Sequence, residues 1–211
     1  MKKTLNINGD IFDLSTPKIM GILNATPDSF YDKSRLGSDK RILEHTINGM
    51  VTAGVDIIDV GGYSTRPGAD DISVFDEISR VLPVIKLIKN LHPKIPISID
   101  TFRSEVAEAA VNEGASIIND ISGGILDKEM PLAVAKLKVP YILTHNRGTP
   151  KTMQTQAIYQ NVVADVLTEL KQRVLLFESK GVKDMLTDLE ANVIAAIILV
   201  MVVIVLALGS R

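Results

Sequence analysis

The sequence predicts an α/β fold: an incomplete (β/α)8 barrel (TIM barrel) of about five strand–helix units, with an N-terminal β-hairpin and an apolar C-terminal helix. Short apolar segments alternate five times with amphipathic ones. The apolar segments are continuous, which is typical of parallel strands buried on both faces. No dinucleotide-binding glycine fingerprint follows a strand, which favours a barrel over a doubly wound sheet. A complete barrel takes about 250 residues, and this chain has 211.

The chain opens with a predicted hairpin between Thr4 and Leu14. Asn8-Gly9 between two short extended runs is a strong hairpin signal, because both residues tolerate the positive φ of a tight turn. Five buried parallel strands are predicted to follow, each an apolar run that ends beside polar residues or glycines. They are Ile19–Leu23, Val55–Val60, Ile95–Ile99, Ala115–Ile118 and Val139–Leu143.

The helices between the strands are predicted from capping residues and apolar stripes. Ser38 and Ser73 are candidate N-caps, and Asp76 follows Ser73 at the spacing of a capping box. Pro83 predicts a kink in the second helix, and Gly114 closes the third, Ser104–Glu113. A short fourth helix is predicted over Lys128–Leu137 and a long one from Tyr159 to about Lys180. The residues of the long helix expected to face inward are Val162, Val163, Val166, Leu170 and Val174.

Composition excludes several classes of function. The net charge is -2, so nothing in the electrostatics favours nucleic acid as a partner. The chain has no cysteine, which excludes disulfides, thiolate nucleophiles and cysteine metal sites. Polar residues soon after Lys2-Lys3 leave no room for a secretory signal. Together these features predict a cytoplasmic protein.

The C-terminal segment differs in character from the rest. Val193–Leu208 is a run of sixteen apolar residues without a charge, slightly shorter than a usual membrane-spanning helix and longer than a buried strand. We therefore divide the chain into a partial barrel domain, residues 1–183, and an apolar tail, residues 184–211, predicted to be helical. Membrane contact through residues 193–208 is one interpretation, and a buried helix or strand pair is the other.

Polar side chains stand at the carboxyl end of every predicted strand, which is where barrel enzymes place their active sites. Each has an ordinary structural alternative. Asn24 or Asn119 could satisfy loop backbone groups, Asp100 could cap a helix, Asp59 could pair beneath the site, and His145 could be a core histidine. Their joint occurrence at five successive strand ends favours a functional site.

The residue types indicate a ligand with a flat polar edge and an anionic group. Two asparagines and an aspartate can read the donors and acceptors of a heterocycle. Thr65 and Arg66, beside the glycine pair 61–62, suit phosphate. Mg²⁺ held mainly by phosphate oxygens needs few protein ligands and remains possible. No activated serine is evident, which argues against covalent catalysis.

Four runs resemble the dihydropteroate synthases, a pterin-binding barrel family of folate synthesis. They are MGILNATPDSFYD, DIIDVGGYSTRPGA, ISIDTFRSEVAEAAVNEGASIINDISGG and YILTHNRG, all in register and in order over about residues 1–183. The resemblance implies that 6-hydroxymethyl-7,8-dihydropterin diphosphate and p-aminobenzoate are condensed to 7,8-dihydropteroate and diphosphate, with Mg²⁺ present. The resemblance also implies a family that is a sulfonamide target, and the p-aminobenzoate loops are present in this sequence.

Site roles carry over residue by residue from this resemblance. Asp100 and Asn119 would hold the pterin edge, with Ile121 against the ring. Asn24 would face the diphosphate and serve as the metal ligand. Loop residues would border the diphosphate and p-aminobenzoate region: Thr65, Arg66, Phe30 and Pro67. Of the whole set, Asn24, Arg66 and Asp100 are the residues expected to act in catalysis.

The resemblance stops near Asp184. The family continues into a sixth strand with an Asp-Pro-Gly-Phe-Gly segment, a lysine on the seventh strand and a Ser-Arg-x-x-His segment on the eighth, none of which occurs here. The tail instead resembles a transmembrane segment of resistance-nodulation-division efflux transporters. We therefore expect a truncated, chimeric chain with little turnover and without the family homodimer. The alternatives are a folate-dependent methyltransferase of the same barrel family and a membrane-tethered remnant without enzymatic activity.

Overall fold

The structure is a computed structural model that describes residues 4–25, 36–64, 71–149 and 151–182. The described residues form seven strands and six helices. The strands are β1 (Thr4–Ile7), β2 (Asp10–Asp13), β3 (Met20–Asn24), β4 (Ile57–Gly61), β5 (Ile97–Asp100), β6 (Ile117–Asp120) and β7 (Tyr141–Leu143). The helices are α1 (Leu36–Thr52), α2 (Val74–Leu91), α3 (Ser104–Glu113), α4 (Met130–Leu137), α5 (Met153–Gln156) and α6 (Val162–Ser179).

The predicted hairpin is confirmed. β1 and β2 pair antiparallel, from Thr4 opposite Asp13 to Ile7 opposite Asp10. Asn8 and Gly9 form the turn with φ values of 53° and 94°, the positive values that this residue pair tolerates best.

Strands β3 to β7 form one parallel sheet in chain order, which is the arrangement of a barrel wall. The predicted fold class is therefore confirmed for five strand–helix units. Four of the five sheet strands, β4 to β7, begin two residues later than predicted, and Pro96 and Pro140 directly precede two of them. A proline has no N–H to donate to the ladder, and only their carbonyls take part, accepting from Ile58 N at 3.1 Å and Ile118 N at 2.9 Å.

Side chains alternate between two apolar layers. One layer packs the sheet against the helices, with Leu23, Val60, Ile99 and Ile118 all 2% exposed or less. The opposite face meets the hairpin at its amino end, where Ile7, Ile57 and Ile117 form a second, smaller core. The hairpin therefore covers the bottom of the inner face and leaves its carboxyl edge for a site.

Most helix predictions hold, with corrections at the ends. Ser73 is the N-cap of α2, and its Oγ accepts from Asp76 N at 3.0 Å. Helix α2 continues past Pro83 to Leu91. Gly114 ends α3 as predicted, with φ of 127°. The described part of helix α1 spans Leu36–Thr52, so Ser38 lies within the helix and is not its N-cap.

The predicted inward face of α6 is only partly correct. Leu170 and Val174 are buried, but Val162 and Val163 are 57% and 49% exposed. Both valines lie in the first turn, and no described element covers them. The buried face instead includes Arg173 and Phe177, which share the three- and four-residue spacing of Leu170 and Val174.

Within the described ranges, no helix has both the length and the apolar character needed to cross a membrane. The predicted domain boundary at 183 and the run Val193–Leu208 lie outside those ranges.

Candidate active site at the carboxyl edge of the sheet

Four strands contribute one continuous row at the carboxyl edge of the sheet. Asn24 pairs in register with Gly61, Gly61 with Asp100, and Asp100 with Asn119. Because residues in register on neighbouring parallel strands point to the same face, the structure brings together three of the residues that the sequence singled out.

Gly61 leaves an opening in this row. A Cβ at Gly61 would lie 3.5 Å from Asp100 Oδ2 and 3.9 Å from Asn24 Oδ1. The side chains of Asn24 and Asp100 therefore approach the same spot from both sides, and a flat group could enter between them.

Asp100 is the carboxyl group of the row, and its surroundings raise its pKa strongly. Burial, together with the negative charges of Asp59, Glu77 and Asp120, raises its pKa from 3.8 to about 7. It does not cap α3, because Asp127 Oδ2 accepts from Ser104 N at 2.6 Å instead. A half-buried carboxyl group that exchanges its proton near neutral pH can accept hydrogen bonds when ionised and donate one when protonated.

Asn119 is oriented from below by Asp59. Its Nδ2 donates to Asp59 Oδ2 at 3.0 Å. Asp59 is 4% exposed, and burial raises its pKa while the Asn119 bond partly offsets that rise. With one amide N–H used in this way, Asn119 Oδ1 and the second N–H remain to meet a ligand. The pairing of Asp59 beneath the site is thus observed.

A charged network that sequence reasoning missed joins the loops after β4 and β5. Glu77 of α2 is fully buried and accepts from Thr101 Oγ1 at 2.7 Å and Arg103 Nη1 at 2.9 Å. Arg80, one turn later, donates to the Gly62 carbonyl at 3.1 Å. The available signal was a glutamate at the helical spacing of the buried residues Val81, Val84 and Ile88.

The loop after β6, which carries Ile121, is held by Asp120. Its carboxylate accepts from Ser122 N at 2.7 Å, Gly124 N at 2.9 Å and Tyr141 Oη at 2.7 Å. Gly124 has φ of 82°, and a Cβ there would lie 2.7 Å from the Phe177 ring, so only glycine fits. Ile121 itself is partly exposed beside the row.

His145 at the end of β7 lies outside the row and is tied to α6. Its Nε2 is 2.8 Å from Glu169 Oε2, and Arg147 Nη2 donates to Glu169 Oε1 at 2.5 Å. The hydrogen bonds from Arg147 and His145 lower the pKa of Glu169. The structural interpretation of His145 is therefore the one that the contacts support.

The remaining candidates fall outside the described ranges: Phe30, Thr65, Arg66 and Pro67. No cluster of three or more aspartates, glutamates or histidines with metal-binding geometry occurs among the residues that are described. Asn24, which is exposed at the end of β3, offers one carboxamide oxygen. That fits a Mg²⁺ ion whose other ligands are water and substrate phosphates, since Mg²⁺ needs only one or two protein ligands there.

A parallel strand–helix wall in chain order with a polar row at its carboxyl edge is the arrangement found in (β/α)8-barrel proteins. The model of the family described as pterin binding enzyme matches residues 20–194. The chain belongs to this family.

Individual relatives agree with this membership. Dihydropteroate synthase of Clostridium beijerinckii is 46% identical over 166 residues, covering 79% of this chain and 58% of that protein. The structure of Xanthomonas albilineans dihydropteroate synthase with 4-aminobenzoic acid matches with a TM-score of 0.75 at 37% identity, covering 87% of this chain and 64% of that one. A complex of the same enzyme with 7,8-dihydropteroate matches with a TM-score of 0.70 at 33% identity, covering 85% of this chain and 62% of that one. The chain thus spans less than two thirds of the length of each.

Proposed function

We propose that this chain carries the pterin-recognition part of a dihydropteroate synthase, a transferase of folate biosynthesis. The reaction condenses 6-hydroxymethyl-7,8-dihydropterin diphosphate with p-aminobenzoate to give 7,8-dihydropteroate and diphosphate. The observation that carries the proposal is the row Asn24, Gly61, Asp100 and Asn119 in a member of the pterin-binding family.

Asp100 and Asn119 would read the edge of the pterin. An ionised Asp100 accepts two N–H donors from the 2-amino-pyrimidine edge, and Asn119 adds an acceptor and a donor from a fixed amide. Ile121 would contact the ring face. A pterin edge supplies the hydrogen-bond donors that no described residue gives to the Asp100 carboxylate, and this complementarity supports the assignment.

Asn24 would face the diphosphate and hold Mg²⁺ as its single protein ligand. Bound there, the ion would neutralise charge on the leaving diphosphate. Thr65 and Arg66 would grip the diphosphate, and Phe30 and Pro67 would border the p-aminobenzoate. These four roles rest on sequence resemblance.

The chemistry requires positioning rather than a nucleophile on the protein. The bond between the pterin methylene carbon and the diphosphate oxygen breaks with its electron pair on diphosphate. The arylamine nitrogen then forms the new bond to that carbon and loses a proton to solvent or diphosphate. Holding the pterin still and stabilising the departing charge are the contributions expected from this row.

Ligand binding is the appropriate test, because the chain spans less than two thirds of the length of its relatives and recognition of the pterin needs only the row at the carboxyl edge of the sheet. Titration with pteroic acid in a calorimeter should show binding that Asp100→Asn weakens at least about tenfold, the loss expected for charge-assisted hydrogen bonds. Asp127→Asn, which removes a carboxylate away from the row, is the matched control. Equal affinity in the wild-type protein and Asp100→Asn would refute the assignment.

The tail and the assembly state are separate proposals. We infer that residues 193–208 contact membranes, on the strength of their sixteen uninterrupted apolar residues; their likeness to a transporter helix remains a prediction. Flotation with phosphatidylcholine vesicles should carry the full chain upward, and a chain ending at Val182 should stay behind. We further infer that the barrel domain is cytoplasmic and does not form the family homodimer; light scattering on the full chain would test the assembly state.

A further inference from the structure

We propose that Glu77 is a positioning residue of the pterin site: from helix α2 it fixes the loops that follow β4 and β5, and so fixes Asp100 between them. The inference rests on the proposed function for its ligand. Its structural basis is the contact between one fully buried carboxylate and the chain immediately after Asp100.

Glu77 binds the β5 loop at two points. Oε1 accepts from Thr101 Oγ1 at 2.7 Å, and Oε2 accepts from Arg103 Nη1 at 2.9 Å. Thr101 Oγ1 accepts in turn from Arg103 N at 3.2 Å. Because Thr101 directly follows Asp100, this clamp sets the direction in which the chain leaves the row.

The β4 loop is held against the same turn of α2. A Cβ on Gly62 would lie 3.1 Å from the Glu77 carbonyl oxygen and 2.7 Å from Val81 Cγ1, so the loop packs directly on the helix backbone. Arg103 also lies over the ring of Tyr63, with its guanidinium carbon 5.1 Å from the ring centroid. One turn of α2 therefore holds both the residue that follows Gly61 and the residue that follows Asp100.

Burying a charge in this place is costly, which indicates a role beyond packing. The burial raises the pKa of Glu77, and the bonds from Thr101 and Arg103 oppose that rise. An apolar side chain would pack on α2 without that cost, but it would leave Thr101 and Arg103 without this anchor. Arg103 would retain its ion pair with Asp71, whose Oδ1 lies 3.1 Å from Arg103 Nη2, but the Asp71 side chain is exposed to solvent.

The charge of Glu77 also acts on Asp100. The Asp100 carboxyl is subject to the negative charges of Asp59 on β4, Glu77 on α2 and Asp120 on the opposite face of β6. The uncharged amides of Asn24 and Asn119 share its row. Arg103 and Arg80 lie on the Glu77 side and reduce its effect. Neutralising Glu77 should therefore make Asp100 a stronger acid.

The test compares Glu77→Gln with Ile85→Val in the full-length chain. Ile85 is equally buried two turns further along α2, so its variant lowers stability without touching the clamp. Hydrogen exchange should accelerate about tenfold or more at the amides of Thr101–Arg103 and Gly62–Ser64 in Glu77→Gln, the effect of losing one charge-assisted hydrogen bond. Ile85→Val should leave the ratio of these rates to the core rates unchanged.

Pteroic acid affinity gives the second readout. Glu77→Gln should weaken it about tenfold at pH 8 and move its pH dependence toward lower pH, whereas Glu77→Asp, which keeps the charge, should recover part of the loss. If Glu77→Gln does not fold, Thr101→Val removes one clamp bond and should show the same local exchange. Exchange that rises uniformly, as in Ile85→Val, would overturn the proposal. If the wild-type chain fails to bind pteroic acid but Glu77→Gln shows the local exchange pattern, the proposed ligand is refuted and the positioning role is retained.

Discussion

Replacing Asp100 with asparagine is expected to stabilise the protein at neutral pH. The folded state raises the pKa of Asp100 from 3.8 to about 7. Since a tenfold change in proton affinity is about 1.4 kcal/mol, ionised Asp100 destabilises the fold by up to about 4 kcal/mol. Solvent access at the edge of the row reduces this to about 2–4 kcal/mol. Asparagine has a similar shape and no charge, so it removes the penalty.

The sign of the pH dependence follows from proton binding. Between about pH 4 and pH 7 the folded protein keeps the Asp100 proton that the unfolded chain has released, so stability falls as the pH rises through this window. Above pH 7 both states are ionised and the loss is complete. The stability difference between variant and wild type should therefore grow from about 1 kcal/mol at pH 4.5 to about 2–4 kcal/mol at pH 8.

Urea unfolding followed by far-ultraviolet circular dichroism at pH 4.5, 6 and 8 would measure this difference. Contributions of Asp59 and Glu77 are common to both proteins and largely cancel. Asp127→Asn is a control of opposite sign. Burial acts to raise the pKa of Asp127, but hydrogen bonds from Ser104 and Glu129 outweigh it and lower that pKa, so Asp127→Asn should lose stability at neutral pH. A difference for Asp100→Asn that stays constant from pH 4.5 to pH 8 would refute the account of Asp100.

Other predictions follow from individual contacts. Gly61→Ala adds a Cβ with ordinary contacts of 3.5 Å and 3.9 Å, so urea unfolding should shift by less than about 1 kcal/mol while pteroic acid binding weakens. Gly62→Ala places a Cβ 2.7 Å from Val81 Cγ1 and should cost about 1–3 kcal/mol; a neutral result would contradict the described packing on α2. Arg173→Leu removes the donor to the Thr144 carbonyl, a contact of 2.5 Å, and should cost about 2–4 kcal/mol in the same assay, with a loss under about 0.5 kcal/mol counting against a buried role.

The sequence was a good guide to the fold because the central strands β4, β5 and β6 are buried on both faces. Such strands are continuous apolar runs, and five apolar runs in chain order allow few topologies other than a barrel wall. Errors occurred where the backbone decides rather than the side-chain pattern. Strands β4 to β7 all begin two residues after the start of their apolar runs, and β5 and β7 do so directly after Pro96 and Pro140, which lack an N–H. Val162 and Val163 follow the apolar pattern but lie exposed in the first turn of α6.

The sequence predicted the residues of the candidate row, but it did not show which side chains orient them. Asn24, Asp100 and Asn119 each end a strand, and register alone brings them side by side. The residues that orient them come from elsewhere in the chain. Glu77 precedes Thr101 by 24 positions, and Asp59 precedes Asn119 by 60. The charge of Asp59 inside an apolar strand indicated that it could pair beneath the site, and the charge of Glu77 in an apolar stripe was the available signal for the second support. No local pattern identifies the partner of either residue.

The carboxylate of Asp100 differs from the three carboxylates near it in the hydrogen bonds that it accepts. Asp59 accepts from Asn119, Glu77 from Thr101 and Arg103, and Asp120 from two backbone amides and Tyr141. Asp100 accepts no hydrogen bond from the part of the chain that is described, although the other three raise its pKa. A fold selected for stability alone would replace such a group with a neutral one.

A ligand with two N–H donors would supply the missing partners and lower the pKa of Asp100. Pteroic acid binding should therefore release protons from the fraction of Asp100 that is still protonated near pH 7, and the number released should equal that fraction. Calorimetry in buffers of different ionisation enthalpy measures this release directly, and binding without proton exchange at pH 7 would separate Asp100 from the recognition of the pterin.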